Sequence, residues 1–220
     1  MLAETLSKVF SLLDAQSLSL FISASLLLAV TPGPDIIFVI SQSLIYNARA
    51  GLIVTLGLCT GLIIHSTIVT LGLASVIRQS PLLLLSLQLL GAVYLLYIAW
   101  QIHKSKPQLV TTSNGLPLHY TKLYLRGFVM NTTNPKVMLF FMAFLPQFIN
   151  LEQENVALQI GMLGLLFMLV TMLVFGGMAI ASRSLIKWVV VSEKGQHKLN
   201  NVVAFILFIL AVYMGVSTVI

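Results

Sequence analysis

Thr31-Pro32-Gly33-Pro34-Asp35 interrupts an otherwise apolar stretch running from about Ser17 to Ser43, and the reading of that interruption decides the fold. The stretch is roughly 27 residues, about 40 Å as an unbroken helix, against a bilayer hydrocarbon core about 30 Å thick. It must therefore tilt or break. Pro32 and Pro34 each remove a backbone donor and crowd the preceding turn, and Gly33 adds freedom, so carbonyls and amides near Thr31 lose their helical partners. Polar backbone released at that depth survives only against protein or a watery cavity. The same feature recurs downstream, where Asn131-Thr132-Thr133-Asn134-Pro135-Lys136 interrupts the stretch from Leu123 to Phe148. Aligning Pro34 with Pro135 also aligns Thr31 with Thr132 and Asp35 with Lys136, placing opposite charges at equivalent positions.

The 220-residue chain is 58% hydrophobic and 8% charged, whereas soluble domains carry about a quarter charged residues. A water-soluble fold is excluded. Besides the two interrupted stretches, apolar runs cover about Gly51 to Ile77, Pro81 to Ile102, Val156 to Ala181 and Val202 to Val219, each long enough to cross a bilayer. Unpaired backbone groups in hydrocarbon force such runs into helices, and the short alternating segments of a membrane barrel are missing from the pattern. The expected fold is an all-α membrane protein: one transporter domain over residues 1–220 with six transmembrane helices, the first and fourth broken at Pro32, Pro34 and Pro135.

Ser80 is placed to cap a helix starting at Pro81, so spans two and three form an antiparallel hairpin. The longest polar interruption, about residues 103–122, contains Pro107, a Thr-Thr-Ser-Asn-Gly run and Pro117. It separates a half at about 17–102 from a half at about 123–219. Met1 to Gln16 mixes Glu4, Lys8 and Asp14 with leucines and reads as an interfacial lead-in to a retained first span, not a cleaved leader.

Lysine and arginine excess marks the cytoplasmic side. Arg49, Lys104, Lys106, Lys122, Arg126, Arg183, Lys187, Lys194 and Lys198 fall on one side, Lys8 and Arg78 on the other. The 103–122 loop is then cytoplasmic and both termini are periplasmic. An odd number of spans per half inverts the second half relative to the first, giving a 3+3 inverted repeat. The formal charge of +6 is accounted for by loop decoration, with no nucleic-acid partner.

In discontinuous transporter helices, the start of one half-helix attracts anions and the end of the other attracts cations, an arrangement matched to a zwitterion. An ionisable group at mid-membrane costs at least about 2.5 kcal/mol, so Asp35 and Lys136 are functional candidates by default. They either line a cavity, with Asp35 taking an ammonium or a proton and Lys136 a carboxylate, or form a structural ion pair between spans one and four; the two roles are compatible. Candidate substrate contacts are Thr31, Gly33, Asp35, Asn131, Asn134 and Lys136. Asp35 and His65 are candidates for proton coupling, with a hydrogen-bonded packing role open for His65. Gly57 and Gly61 form a small face for packing within one subunit or in a homodimer.

Cys59 is the single cysteine, and no nucleophile triad, paired histidines or P-loop is present. No metal, cofactor or enzymatic activity is expected. A cation channel or metal-ion efflux protein, using Asp35 and freed carbonyls, is the rival reading, with few ligands to support it.

Both interrupted motifs, followed by Ile36-Ile37-Phe38-Val39 in one case and flanked by Arg126-Gly127-Phe128 and Phe144-Leu145-Pro146-Gln147-Phe148 in the other, resemble the LysE/RhtB family of amino-acid exporters. Gly57 through His65 and Gly91 through Tyr97 resemble its patterns too, and the likeness runs from about Leu20 to Val219. The resemblance implies a multi-pass secondary exporter of the bacterial inner membrane that moves amino acids or close derivatives outward, driven by the proton gradient. It does not fix the substrate.

Overall fold

The computed structural model describes residues 15–31, 33–77, 81–105, 119–149, 155–181 and 193–219. Pro32, the lead-in through residue 14, the 78–80 connection and most of the basic loop lie outside the described residues. Every regular element among those described is helical: α1 (Ala15–Val30), α2 (Pro34–Ile45), α3 (Ala48–Ile77), α4 (Pro81–Lys104), α5 (Tyr120–Thr132), α6 (Pro135–Leu139), α7 (Val156–Ala181) and α8 (Glu193–Val219). α6 continues into a π-helical turn at Phe140–Phe144 and a 3-10 turn at Leu145–Phe148.

The described residues of all six apolar stretches are helical apart from the two breaks. α3, α7 and α8 are long and apolar enough to cross a membrane, and α1 with α2 make a fourth such unit, bent by 59°, when taken as one span. α7 has the bounds read from the sequence, but α8 begins at Glu193 instead of near Val202. Lys194 and Lys198 therefore belong to its opening turns. The polar run hides a packing face: Gln196 and Asn200 are buried at helical spacing ahead of Val203 and Leu207, and the Asn200 amide donates to Ser105 Oγ at 2.8 Å.

Both breaks are built alike. α2 opens with Pro34 in its first turn and Asp35 beside it, where the missing amide costs nothing and the helix dipole favours a carboxylate. α6 opens with Pro135 after Asn134, whose side-chain oxygen accepts from the Lys136 amide at 3.0 Å as an N-cap.

α3 packs along α5, α7 and α2, while α4 lies along α8 and α1 along α7. Close approach of α3 and α5 depends on glycine. A Cβ on Gly57 would strike the Tyr124 carbonyl and the Phe128 amide, and one on Gly127 would strike the Val54 carbonyl. The Gly57 and Gly61 face thus packs inside the subunit, Gly61 directly against Asn131. One apolar cluster gathers Phe21, Phe140, Phe144, Phe148 and Phe167, with ring centroids 4.6 Å apart for Phe140 and Phe144 and 4.7 Å for Phe144 and Phe148. A second gathers Ile36, Val39, Ile40, Val54, Leu58 and Phe175. The two breaks meet between these clusters.

Candidate functional site

Lys136, in the first turn of α6, reaches across to the end of α1. Its Nζ donates to the carbonyls of Leu28 at 3.3 Å and Thr31 at 3.4 Å, and lies 3.8 Å from Asp35 Oδ2. These carbonyls have no following turn to bond them because the chain breaks at Gly33, and the negative end of α1's dipole favours a cation there. Asp35 is held from three directions: the Ile36 amide reaches Oδ1 at 3.0 Å, the Asn134 side-chain amide reaches Oδ2 at 3.4 Å, and Lys136 supplies the charge. The aligned positions of the two half-chains therefore touch.

Gly33 has φ −153° and ψ 173°, an extended backbone open to any residue. Its contribution is space, not the freedom expected from sequence, since a Cβ there would lie 2.6 Å from Asp35 Oδ1 and 3.4 Å from Lys136 Nζ. Thr31 is buried with its hydroxyl bonded back to the Leu27 carbonyl at 2.6 Å, so it meets Lys136 through its carbonyl. His65 Nε2 donates to the Asn131 carbonyl at 3.0 Å, and its ring lies 5.9 Å from that of Phe141. Thr31, Gly33, Asp35, Asn134 and Lys136 are brought together; Asn131 adjoins them, and His65 is tied in through Asn131.

Two cavities flank the pair. The larger, about 470 Å³, is lined by Thr31, Gly33, Asn134 and Lys136 together with Tyr94, Tyr97, Gln101 and Ile102 of α4. The smaller, about 10 Å³, is lined by Asp35, Asn131, Lys136 and Thr171 among apolar residues; such a volume holds about one water. Lys136 lines both cavities, whereas Asp35 lines only the small one. The Tyr94 hydroxyl donates to the Pro135 carbonyl at 3.3 Å, and Gln101 Nε2 donates to the Tyr97 hydroxyl at 2.6 Å.

The sequence motifs assign no site role to Tyr97, Gln101 or Thr171. Tyr94, Tyr97 and Gln101 recur at helical spacing on one face of α4, a signal available in the sequence. Thr171 carried none, being a lone hydroxyl in an apolar helix. Among the described residues, no three His, Cys, Asp or Glu side chains gather to hold a metal ion.

The family model for LysE type translocators matches residues 26–218, a range that contains both breaks. The chain belongs to the LysE type translocator family. This translocator is 31% identical over 145 residues to the uncharacterized membrane protein YrhP of Bacillus subtilis (strain 168), covering 62% of this chain and 69% of that one. It is 30% identical over 169 residues to the homoserine/homoserine lactone efflux protein of Salmonella typhimurium (strain LT2), covering 77% and 82%. An uncharacterized membrane protein of Vibrio cholerae shares 28% over 135 residues, 61% of this chain and 66% of that one. No solved structure matches the translocator significantly.

Proposed function

We propose that this LysE type translocator is a secondary active exporter of zwitterionic amino acids or their close derivatives across the bacterial inner membrane, coupled to the proton gradient. The observation that carries the reading is the Asp35–Lys136 pair, set where two broken helices meet, with its lysine on the wall of a cavity of about 470 Å³, within the range of small-molecule sites. In this reading the substrate carboxylate binds Lys136 from the vestibule, with Asn134 and the Thr31 and Gly33 backbone as polar partners. The substrate ammonium takes over the α1 carbonyls and Asp35, and protonation of Asp35 releases it. Asn131 and His65 support the pair.

The fold counts as one domain of six spans in a 3+3 inverted repeat, with periplasmic termini and a cytoplasmic 103–122 loop. Packing supports the repeat: α5 on α3 and α1 on α7 are partners that such a repeat interchanges, while α3 on α7 and α4 on α8 pair each element with its own counterpart. The Lys136 ammonium on the vestibule wall opposes the rival reading of a cation path. The similarity to a homoserine/homoserine lactone efflux protein makes L-homoserine the first probe. Proteoliposomes containing the purified chain are expected to take up labelled L-homoserine several-fold faster than empty ones, and faster still under an imposed pH gradient. Uptake equal to that of empty vesicles, for homoserine and for a panel of other amino acids, would overturn the reading.

A further inference from the structure

Natural cores rarely leave polar atoms without a hydrogen bond, and each exception asks for a bound water or ion. Asn131 Oδ1 and Thr171 Oγ1 are two such atoms among the described residues. Both residues are 3% exposed, and both line the cavity of about 10 Å³ that also touches Asp35 and Lys136. One water needs about that volume and two to four polar partners. The donor and acceptor inventory fits: Asn131 Oδ1 accepts, an Asp35 carboxylate oxygen accepts, and the Thr171 hydroxyl donates. A metal cation fits poorly beside the Lys136 ammonium.

We propose that this cavity binds one water molecule, which donates to Asn131 Oδ1 and Asp35 and accepts from Thr171, and that Asp35 exchanges its proton through this water. The proposal rests on the exporter reading for its second part. A substrate in the vestibule meets Lys136, and Asp35 faces only the opposite cavity, so substrate and proton approach the carboxylate from different sides. Protonation is a relay: the water takes up one proton arriving from solvent as it hands another to Asp35, so no hydroxide is left and nothing is oxidised or reduced. The titratable groups facing this point are Lys136 of α6 and, across the Asn131 carbonyl, His65 of α3. α1 contributes Leu28 and Ala29, and α7 contributes Phe167, Thr171 and Phe175, none of which titrates.

Thr171→Val keeps the shape and deletes the hydroxyl, and two measurements on the full chain read the result. Replacing a hydroxyl that bonds nothing raises the melting temperature in detergent, whereas removing one partner of a bound water lowers it; a lowered value is expected. In proteoliposomes, pH-gradient-driven uptake of labelled L-homoserine is expected to fall about tenfold, the upper end for one lost neutral hydrogen bond. Equilibrium binding of labelled L-homoserine to the purified chain, which needs no release step, should stay within about twofold on the same scale, and Thr171→Ser should restore the coupled rate. A raised melting temperature, or gradient-driven uptake equal to that of the unaltered chain, would overturn the proposal. If the unaltered chain moves neither homoserine nor the other amino acids of the panel, the exporter reading fails on its own, and the melting temperature still decides whether water is bound.

Discussion

Lys136→Met is expected to lower amino-acid uptake in proteoliposomes about a hundredfold or more, the scale of truncating one member of a buried, hydrogen-bonded charge pair. It should also destabilise the fold by about 3–5 kcal/mol, because the carboxylate left behind has lost its cation. The two partners are not equivalent. Asp35 is the more enclosed, its side chain 5% exposed against 16% for Lys136. Asp35→Asn leaves the ammonium with the Leu28 and Thr31 carbonyls, whereas Lys136→Met leaves the carboxylate, among protein groups, with the Ile36 amide and the Asn134 side chain and no cation. Asp35→Asn should therefore stop uptake at a smaller cost in melting temperature, and the double variant should melt above Lys136→Met alone. A double variant that melts no higher than Lys136→Met would mean that the two charges do not stabilise each other.

Gly57→Val should be the most damaging single change away from the pair. Its side chain would be driven into the backbone of α5 at Tyr124 and Phe128, against which α3 is closely packed. Backbone cannot rotate away as a side-chain tip can, so the cost should reach about 3 kcal/mol, the upper end of the usual overpacking range. Thermal unfolding of the purified chain, followed by its tryptophan fluorescence, checks this. A melting temperature unchanged from the parent would show that α3 and α5 separate easily and that the glycine pair does not set their distance. The Asn131 carbonyl rides on the same contact through His65, so uptake should fall with stability.

Much of this site was legible in the residues, for identifiable reasons. Prolines at 34 and 135 mark helix starts through chemistry that needs no tertiary context, and the length of the first apolar run demands an interruption. The charges at 35 and 136 stand out because their surroundings are apolar. What was not legible depends on packing. Gly33 reads in the sequence as a source of backbone freedom, but its backbone is extended and its absent side chain makes room for the carboxylate. The start of α8 was hidden because Gln196 and Asn200 are polar residues that face inward. The π-helical turn at Phe140–Phe144 leaves no local mark, since its phenylalanines would suit an ordinary turn equally well.

Lys136 covering the last carbonyls of α1 also bears on the order in which the protein is made. Asp35 and the raw end of α1 leave the ribosome with the first half of the chain, while the ammonium that satisfies them is encoded in the second. In the proposed topology, the nascent chain meanwhile holds a carboxylate and open peptide oxygens at a depth where lipid offers nothing to bind them. In that topology the arrival of a single lysine, well before synthesis ends, converts a half that is ill suited to the bilayer into one that belongs there.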